Sequence, residues 1–360
     1  MIDEQARIEI LLAIARRVRD PSDPLGEEVR RELLARGALS ALSAQGVELA
    51  LREHLEITVS AQDFERLLAS VPRARSGRAI VVLSAHVPVA PVRALALALA
   101  AADEVVVKPS RRDPALATIL VRELSAAGLS VSLATSVDAR AGDLVFVYGS
   151  AASIEAVAAS LPAGAELEPH GPGFGVAVVS RDADLAAAAS KLARDVVPFD
   201  QRGCLSPRIA FVEGDDERAR AFALALDHEL TACGDAIPRG QLASDERELL
   251  ARWLLTMRAI GEVFEGSAHA IAVDSAPTAI ELPPAARVIV VYPYSTHAVL
   301  LRLLAPLRAH LTTLGLAGED DALRIALSSF GARVTELGWM QRPPLDGPVD
   351  TRRLTLRKSS

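Results

Sequence analysis

The sequence predicts an α/β protein whose centre is a parallel sheet wound with helical crossovers. Three observations predict it. From Arg78 onward, short β-branched runs alternate with alanine- and leucine-rich segments of helical length: RAIVVLSA, PVRALALALAAA, EVVVKP, DPALATILVRELSAAG, SVSLA, LVFVYG and SAASIEAVAASL. The short runs are apolar on both faces, as strands are when helices cover both sides of a sheet. Half of the 360 residues are apolar, enough for a sizeable core, and a chain of this length suggests two domains or one large unit with an insertion.

In chain order, residues 1–75 read as a helical segment. DEQARIEILLAIARRVRD carries apolar residues at helical spacing, and SAQDFERLLAS opens with a Ser-x-x-Asp capping pattern. VPRARSG, residues 71–77, is the joint into a nucleotide-binding type of domain over 76–165. Within it, Pro91 starts one helix, while Asp113 is the expected cap, Pro114 the first turn and Gly128 the stop of the next. The glycine- and proline-rich AELEPHGPGFGVAVVS marks a boundary, and a second α/β domain follows over 166–335. Its expected elements are a helix at 182–196, a loop holding Cys204, a strand at 208–213 and helices near 215–231 and 243–261. Strands near 269–273 and 287–292 and a helix near 296–310 complete it. The tail, 336–360, is proline-rich and ends basic; it is expected to lie over another part of the molecule or a partner subunit.

Composition excludes several functions. A formal charge of −7 leaves no basic surplus for phosphate backbones, so general nucleic-acid binding is not expected. Two cysteines cannot make a disulfide framework, and no His/Cys cluster has zinc spacing, so no metal is expected. The opening MIDEQARIEI is acidic where a signal peptide is basic. The most apolar region, 79–107, is broken by His86, Pro88, Pro91, Arg93 and Asp103, so no membrane span and a cytoplasmic location are expected.

Three places could carry chemistry. In VVVKPSRRDP, Lys108 and Ser110 follow a buried strand, at the carboxyl edge where open α/β sheets bind ligands. With Arg111 and Arg112 they would suit a phosphate, or they form a solvated loop. In VFVYGSAASIEAV, Gly149 and Ser150 join strand to helix, a turn that lets a phosphate approach backbone amides. Cys204, in FDQRGCLSPRIAFVEG, lies in a loop beside glycine and proline rather than on the apolar face of an element, where Cys233 falls. The glycines of HGPGFG precede a strand and have the wrong spacing for a dinucleotide fingerprint; they read as a tight loop where backbones cross. Trp253, Met257 and Phe264 could line a tunnel, but read more simply as core.

Taken in order, these pieces resemble the aldehyde dehydrogenase superfamily, over roughly 78–215 and more weakly to the end. VVVKPS is similar to that family's cofactor-binding strand and loop, YGSAAS to its glycine-serine turn, ELEPHGPGFGVAVV to its glutamate-glycine-glycine segment and DQRGC to its nucleophile loop. FDQRGCLSP, SAHVP and GWMQRPP…DG resemble most the fatty acyl-CoA reductase branch, the bacterial luminescence type.

The resemblance implies an aldehyde-dehydrogenase-like fold, a parallel-sheet nucleotide-binding domain joined to an α/β catalytic domain. It also implies NADPH-dependent reduction of an acyl-CoA, or a related acyl thioester, to an aldehyde through a thioester on Cys204.

 The acyl group would pass to the sulfur, a hydride would follow, and the aldehyde would leave. The backbone N–H of Cys204 is one donor for the developing oxyanion. His86 stands where the family keeps an asparagine donor, and its role as donor or plain turn residue is open. Glu168 falls where oxidising members keep a water-activating base, which a reductase has no use for. Arg111 replaces the family's ribose-binding glutamate, and loss of that carboxylate favours NADPH over NADH. A homo-oligomer is expected by analogy. The alternatives are a dehydrogenase running in the oxidative direction and a non-catalytic relative that binds a nucleotide or acyl group.

Overall fold

The computed structural model describes residues 2–35, 42–277 and 279–350; the basic end of the tail, 351–360, lies outside them. The chain opens with α1 (Glu4–Arg19), α2 (Pro24–Ala35), α3 (Ala44–Glu53) and α4 (Ala61–Ser70). Asp3 caps α1 by accepting the Ala6 N–H at 2.7 Å, and Ser60 and Asp63 form the capping box that the sequence of α4 predicts. On α1 the buried Ile8, Leu11, Ala15 and Val18 make one stripe. That stripe packs on the helix that follows the first strand, and its core is continuous with that of the first sheet.

The first sheet contains β1 (Arg78–Val82), β2 (Glu104–Lys108), β3 (Ser130–Leu133), β4 (Leu144–Tyr148) and β5 (Glu166–His170). All pairings are parallel, in the order β3-β2-β1-β4-β5. The crossovers are α5 (Ala90–Ala101), α6 (Ala115–Ala126) and α7 (Ala151–Ser160). Helix α5 is buried from Pro91 to Ala101 because it is covered by the sheet on one side and α1 on the other, which explains its unbroken apolar sequence. The strand order reverses between β1 and β4, so a crevice opens beyond their carboxyl ends. Two local expectations are corrected. Helix α6 begins at Ala115 with Pro114 at the N-cap position, one residue later than the sequence placed the cap. Residues 166–170, which the sequence placed with the second domain, pair with β4 at the edge of the first sheet.

The second sheet contains β6 (Phe174–Val179), β7 (Pro207–Glu213), β8 (Glu262–Glu265), β9 (Ala270–Val273), β10 (Val288–Tyr294), β11 (Leu311–Ala317) and β12 (Arg333–Glu336). Its order is β12-β11-β6-β7-β10-β9-β8, parallel except where β8 meets β9. One face packs against α8 (Leu185–Val196) and α9 (Asp216–Ala236). The other packs against α10 (Ser244–Ile260), α11 (His297–Leu304) and α12 (Asp321–Ser328). Trp253 and Met257 are buried in that second core, as the simpler reading of them held, and Phe264 packs partly buried against the first. No helix among the described residues is long and apolar enough to cross a membrane.

The tail lies over its own chain and ties the three parts together. Arg93 of α5 donates to the carbonyls of Pro343 at 3.1 Å and Pro344 at 2.8 Å, and to that of Gly347. Its Nε also faces the buried Glu56 carboxylate at 2.7 Å. On the N-terminal segment, Glu53 pairs with Arg342, and the His54 Nδ1–H donates to the Gln341 carbonyl at 3.0 Å. Burial holds the His54 pKa down at about 4, consistent with an Nε2 that is buried and has no hydrogen-bond partner. Arg93→Met is expected to lower stability by about 3 kcal/mol or more, because it leaves the Glu56 carboxyl and three tail carbonyls without their cation. Urea unfolding of both proteins at neutral pH measures this, and a loss within about 0.5 kcal/mol would show that the strap is dispensable.

Candidate active site

The loop before β7 is built on an unusual backbone. Phe199, Asp200 and Gln201 have φ of 57°, 50° and 66°, three successive non-glycine residues in the left-handed region. Such a run is costly and persists only where its surroundings fix it. Here they do. Asp200 Oδ1 accepts from Arg287 Nε at 2.9 Å, and its Oδ2 accepts the Gly240 N–H at 2.9 Å. The buried Gln201 side chain donates to the carbonyls of Pro207 and Val288, both at 2.7 Å, and accepts from the N–H groups of Val288 at 2.8 Å and Ala286 at 3.3 Å. The Asp-Gln pair thus anchors the loop to the start of β10 and to β7.

Cys204 follows, half-buried, in a turn closed by the Ser206 N–H on the Gly203 carbonyl at 3.1 Å. Thr312 of β11 donates its hydroxyl to the Cys204 carbonyl. Gln341 of the tail donates to Ser206 Oγ at 2.5 Å, and the Gly175 N–H donates to the Ser206 carbonyl at 2.8 Å. Gly175 is required by close approach: a Cβ there would stand 2.5 Å from Met340 Cε and 2.6 Å from the Leu205 carbonyl oxygen. At the last glycine of HGPGFG, Gly175 within β6, two backbones thus come close together.

The carboxyl edge of the first sheet meets this loop. Phe146 and Tyr148 on β4 are register partners of Glu168 and His170 on β5, so the four side chains share one face. The Tyr148 and His170 rings stack at 4.3 Å, 8° apart. The phenol oxygen of Tyr148 is buried with no hydrogen-bond partner. Burial pushes its pKa up; Arg93 opposes this, while the charges of Glu56, Glu168 and Cys204 add to it. Tyr148 is thus the group that stands within electrostatic reach of both Cys204 and Glu168. Glu168 is half-buried, and burial followed by repulsion from Glu166 raises its pKa. His170 is held neutral, its pKa lowered to about 4 chiefly by burial.

His86, after β1, has a φ of 102°, and solvent reaches its ring. Its pKa is lowered by partial desolvation and then by Arg202 and Arg112. The β1 loop therefore faces Arg202, two residues before Cys204. Arg202 is neutralised there by Glu246 at 2.8 Å and by Asp200 at 3.4 Å.

The expected cofactor residues line the same edge. Lys108 ends β2 half-buried, the Ser110 hydroxyl accepts the Arg112 N–H at 3.2 Å, and Arg111 and Arg112 are exposed. Among the described residues none of these three cations is in an ion pair, whereas many of the other arginines are. Gly149 packs tightly, a Cβ there standing 3.2 Å from Ser153 Cβ, and Ser150 caps α7 by accepting the Ser153 N–H at 3.2 Å. Unpaired cations around a strand-reversal crevice fit a phosphate-bearing nucleotide. Sequence reasoning missed Tyr148, Thr312 and Gln341. Tyr148 adjoins the Gly149-Ser150 turn, which was a usable signal; Thr312 and Gln341 reach the loop from more than 100 positions away and left none.

Solved structures share this fold. A benzaldehyde dehydrogenase from Corynebacterium glutamicum superposes with a TM-score of 0.70 at 16% identity, over 94% of this chain and 83% of its own. An aldehyde dehydrogenase from Mycobacterium tuberculosis, solved with NAD+, does so with a TM-score of 0.65 at 14% identity, over 93% and 78%. In sequence, the long-chain acyl-protein thioester reductase 2 of Photobacterium leiognathi is 24% identical over 187 residues, 48% of this chain and 39% of that protein. The long-chain acyl-protein thioester reductase of Photobacterium phosphoreum is 25% identical over 187 residues, 48% and 38%. The matched stretch is thus well under half the length of these curated relatives. The family model described as Acyl-CoA reductase (LuxC) matches residues 39–356, and the chain, with its aldehyde-dehydrogenase fold, belongs to that family.

Proposed function

We propose that the protein reduces an acyl thioester to an aldehyde, with Cys204 as the acyl acceptor and NADPH as the reductant. The observation that carries this reading is that Phe199 of the Cys204 loop packs in one core with Phe146 and Tyr148 of β4, at the strand-reversal edge of the first sheet. The Cys204 thiolate attacks the thioester carbonyl carbon; the new C–S bond forms as the old one breaks, and the departing thiolate takes up a proton. Lys108, Arg111, Arg112 and the Gly149-Ser150 turn would hold the nucleotide, which supplies a hydride when bound. Tyr148 offers its unpartnered O–H to the oxygen that gains charge, beside the Cys204 N–H. His86, on an exposed turn, is the weaker candidate for that donor. The thiolate of Cys204 is regenerated as the aldehyde leaves. Glu168 takes no part, since a base activating water would divert the acyl group to the acid. Acyl-CoA is the expected donor, and the names of the relatives make an acyl group held on a protein the other donor to test.

The purified protein should oxidise NADPH when given acyl-CoA of several chain lengths, and Cys204→Ala should abolish this. Turnover only with aldehyde and oxidised cofactor would support the oxidative direction instead, and saturable binding without turnover the non-catalytic reading. Tyr148→Phe is expected to lower kcat about a hundredfold with little change in KM; an unaltered kcat removes the phenol from the reaction. Arg111→Glu restores a carboxylate for the ribose diol and should shift preference toward NADH by about tenfold or more. Tighter binding of NADH by the unaltered protein would contradict the assignment of NADPH.

A further inference from the structure

The opposite edge of the second sheet carries a second cluster. Glu213 ends β7, Tyr294 ends β10 as its register partner, His297 opens α11, and Asp320 caps α12. Strand β7 separates Glu213 from the Cys204 loop by its seven residues, about 20 Å, so the cluster is distinct from the candidate active site.

One ligand atom from each of Glu213, His297 and Asp320 lies within 4.8 Å of the other two. His297 Nε2 stands 2.8 Å from Asp320 Oδ2. Each carboxylate has one oxygen fixed by backbone: the Arg181 N–H donates to Glu213 Oε2 at 3.0 Å, and the Leu323 N–H to Asp320 Oδ1 at 2.8 Å. The other oxygen of each faces the cluster: Asp320 Oδ2 meets His297 Nε2, and among the described residues Glu213 Oε1 meets only the distant Arg181 Nε at 3.8 Å, from a side chain that is 70% exposed. Tyr294 gives an independent indication. Its side chain is 2% exposed, yet its hydroxyl has no hydrogen-bond partner. As the register partner of Glu213, Tyr294 lies on the same face of the sheet, beside that carboxylate. A buried hydroxyl without an acceptor is unfavourable, and a bound water would satisfy it.

We propose that Glu213, His297 and Asp320 bind a divalent cation of the zinc type, with the Tyr294 hydroxyl donating to a water that completes the coordination. Two carboxylates with one imidazole suit such a cation; calcium and magnesium prefer oxygen alone. The backbone N–H groups on the outer carboxylate oxygens orient the ligands from behind. The cation would join the ends of β7 and β10 to the start of α12. The three ligands are spread over more than 100 positions, so no spacing motif announces them, and the sequence predicts no metal.

The test is zinc titration by calorimetry of the chelator-treated 360-residue chain carrying Cys204→Ala, which removes the half-buried loop thiol as a competing ligand. Cobalt absorption serves as the second readout. One equivalent should bind, with cobalt bands of a four-coordinate site, and His297→Ala and Glu213→Gln should each weaken binding about a hundredfold. Tyr294→Phe, which deletes a single oxygen and spares the fold, should weaken it less, by about tenfold. Circular dichroism confirms that each variant is folded. Binding that is absent, or that survives His297→Ala and Glu213→Gln unchanged, overturns the site.

Discussion

The candidate site depends on one constraint: the left-handed run Phe199–Gln201 that turns the chain from α8 into β7. Left to itself this backbone would relax toward ordinary conformations. It is held because Asp200 is locked to Arg287 and because Gln201 satisfies four backbone groups at the starts of β7 and β10. A thiol placed three residues beyond such an anchor cannot drift. Removing either side chain would leave buried polar groups unpaired as well as freeing the loop.

The tail and the second sheet extend that constraint outward. Gln341 reaches Ser206, Thr312 reaches the Cys204 carbonyl, and Gly175 yields the space in which the loop sits. Gln341 also joins the loop to His54, so the N-terminal helices bear on the same loop. Arg93, buried beneath the tail, fastens its other end and lies near enough to Tyr148 to affect the ionisation of the phenol. The parts that look separate in sequence therefore act as one support for the loop of Cys204 and the β4 edge it packs on.

The sequence by itself determined the alternation of strands and helices from β1 to α7, the capping box of α4, the proline start of α5 and the core role of Trp253 and Met257. These are local matters of periodicity, capping and apolar content, and they need no knowledge of what lies across the fold. Cys204 and the cations after β2 were also legible, because a cysteine beside glycine and a lysine after a buried strand stand out in their own neighbourhoods. The tertiary structure decided the rest. It placed 166–170 in the first sheet, since a polar strand such as ELEPH joins an edge by pairing rather than by apolar pattern. It moved the N-cap position of α6 to Pro114 and gave Ser150 to the cap of α7. It also brought Thr312 and Gln341 to the loop by hydrogen bonds and packed Phe199 into the core against which Tyr148 lies, long-range relations that no window of sequence contains.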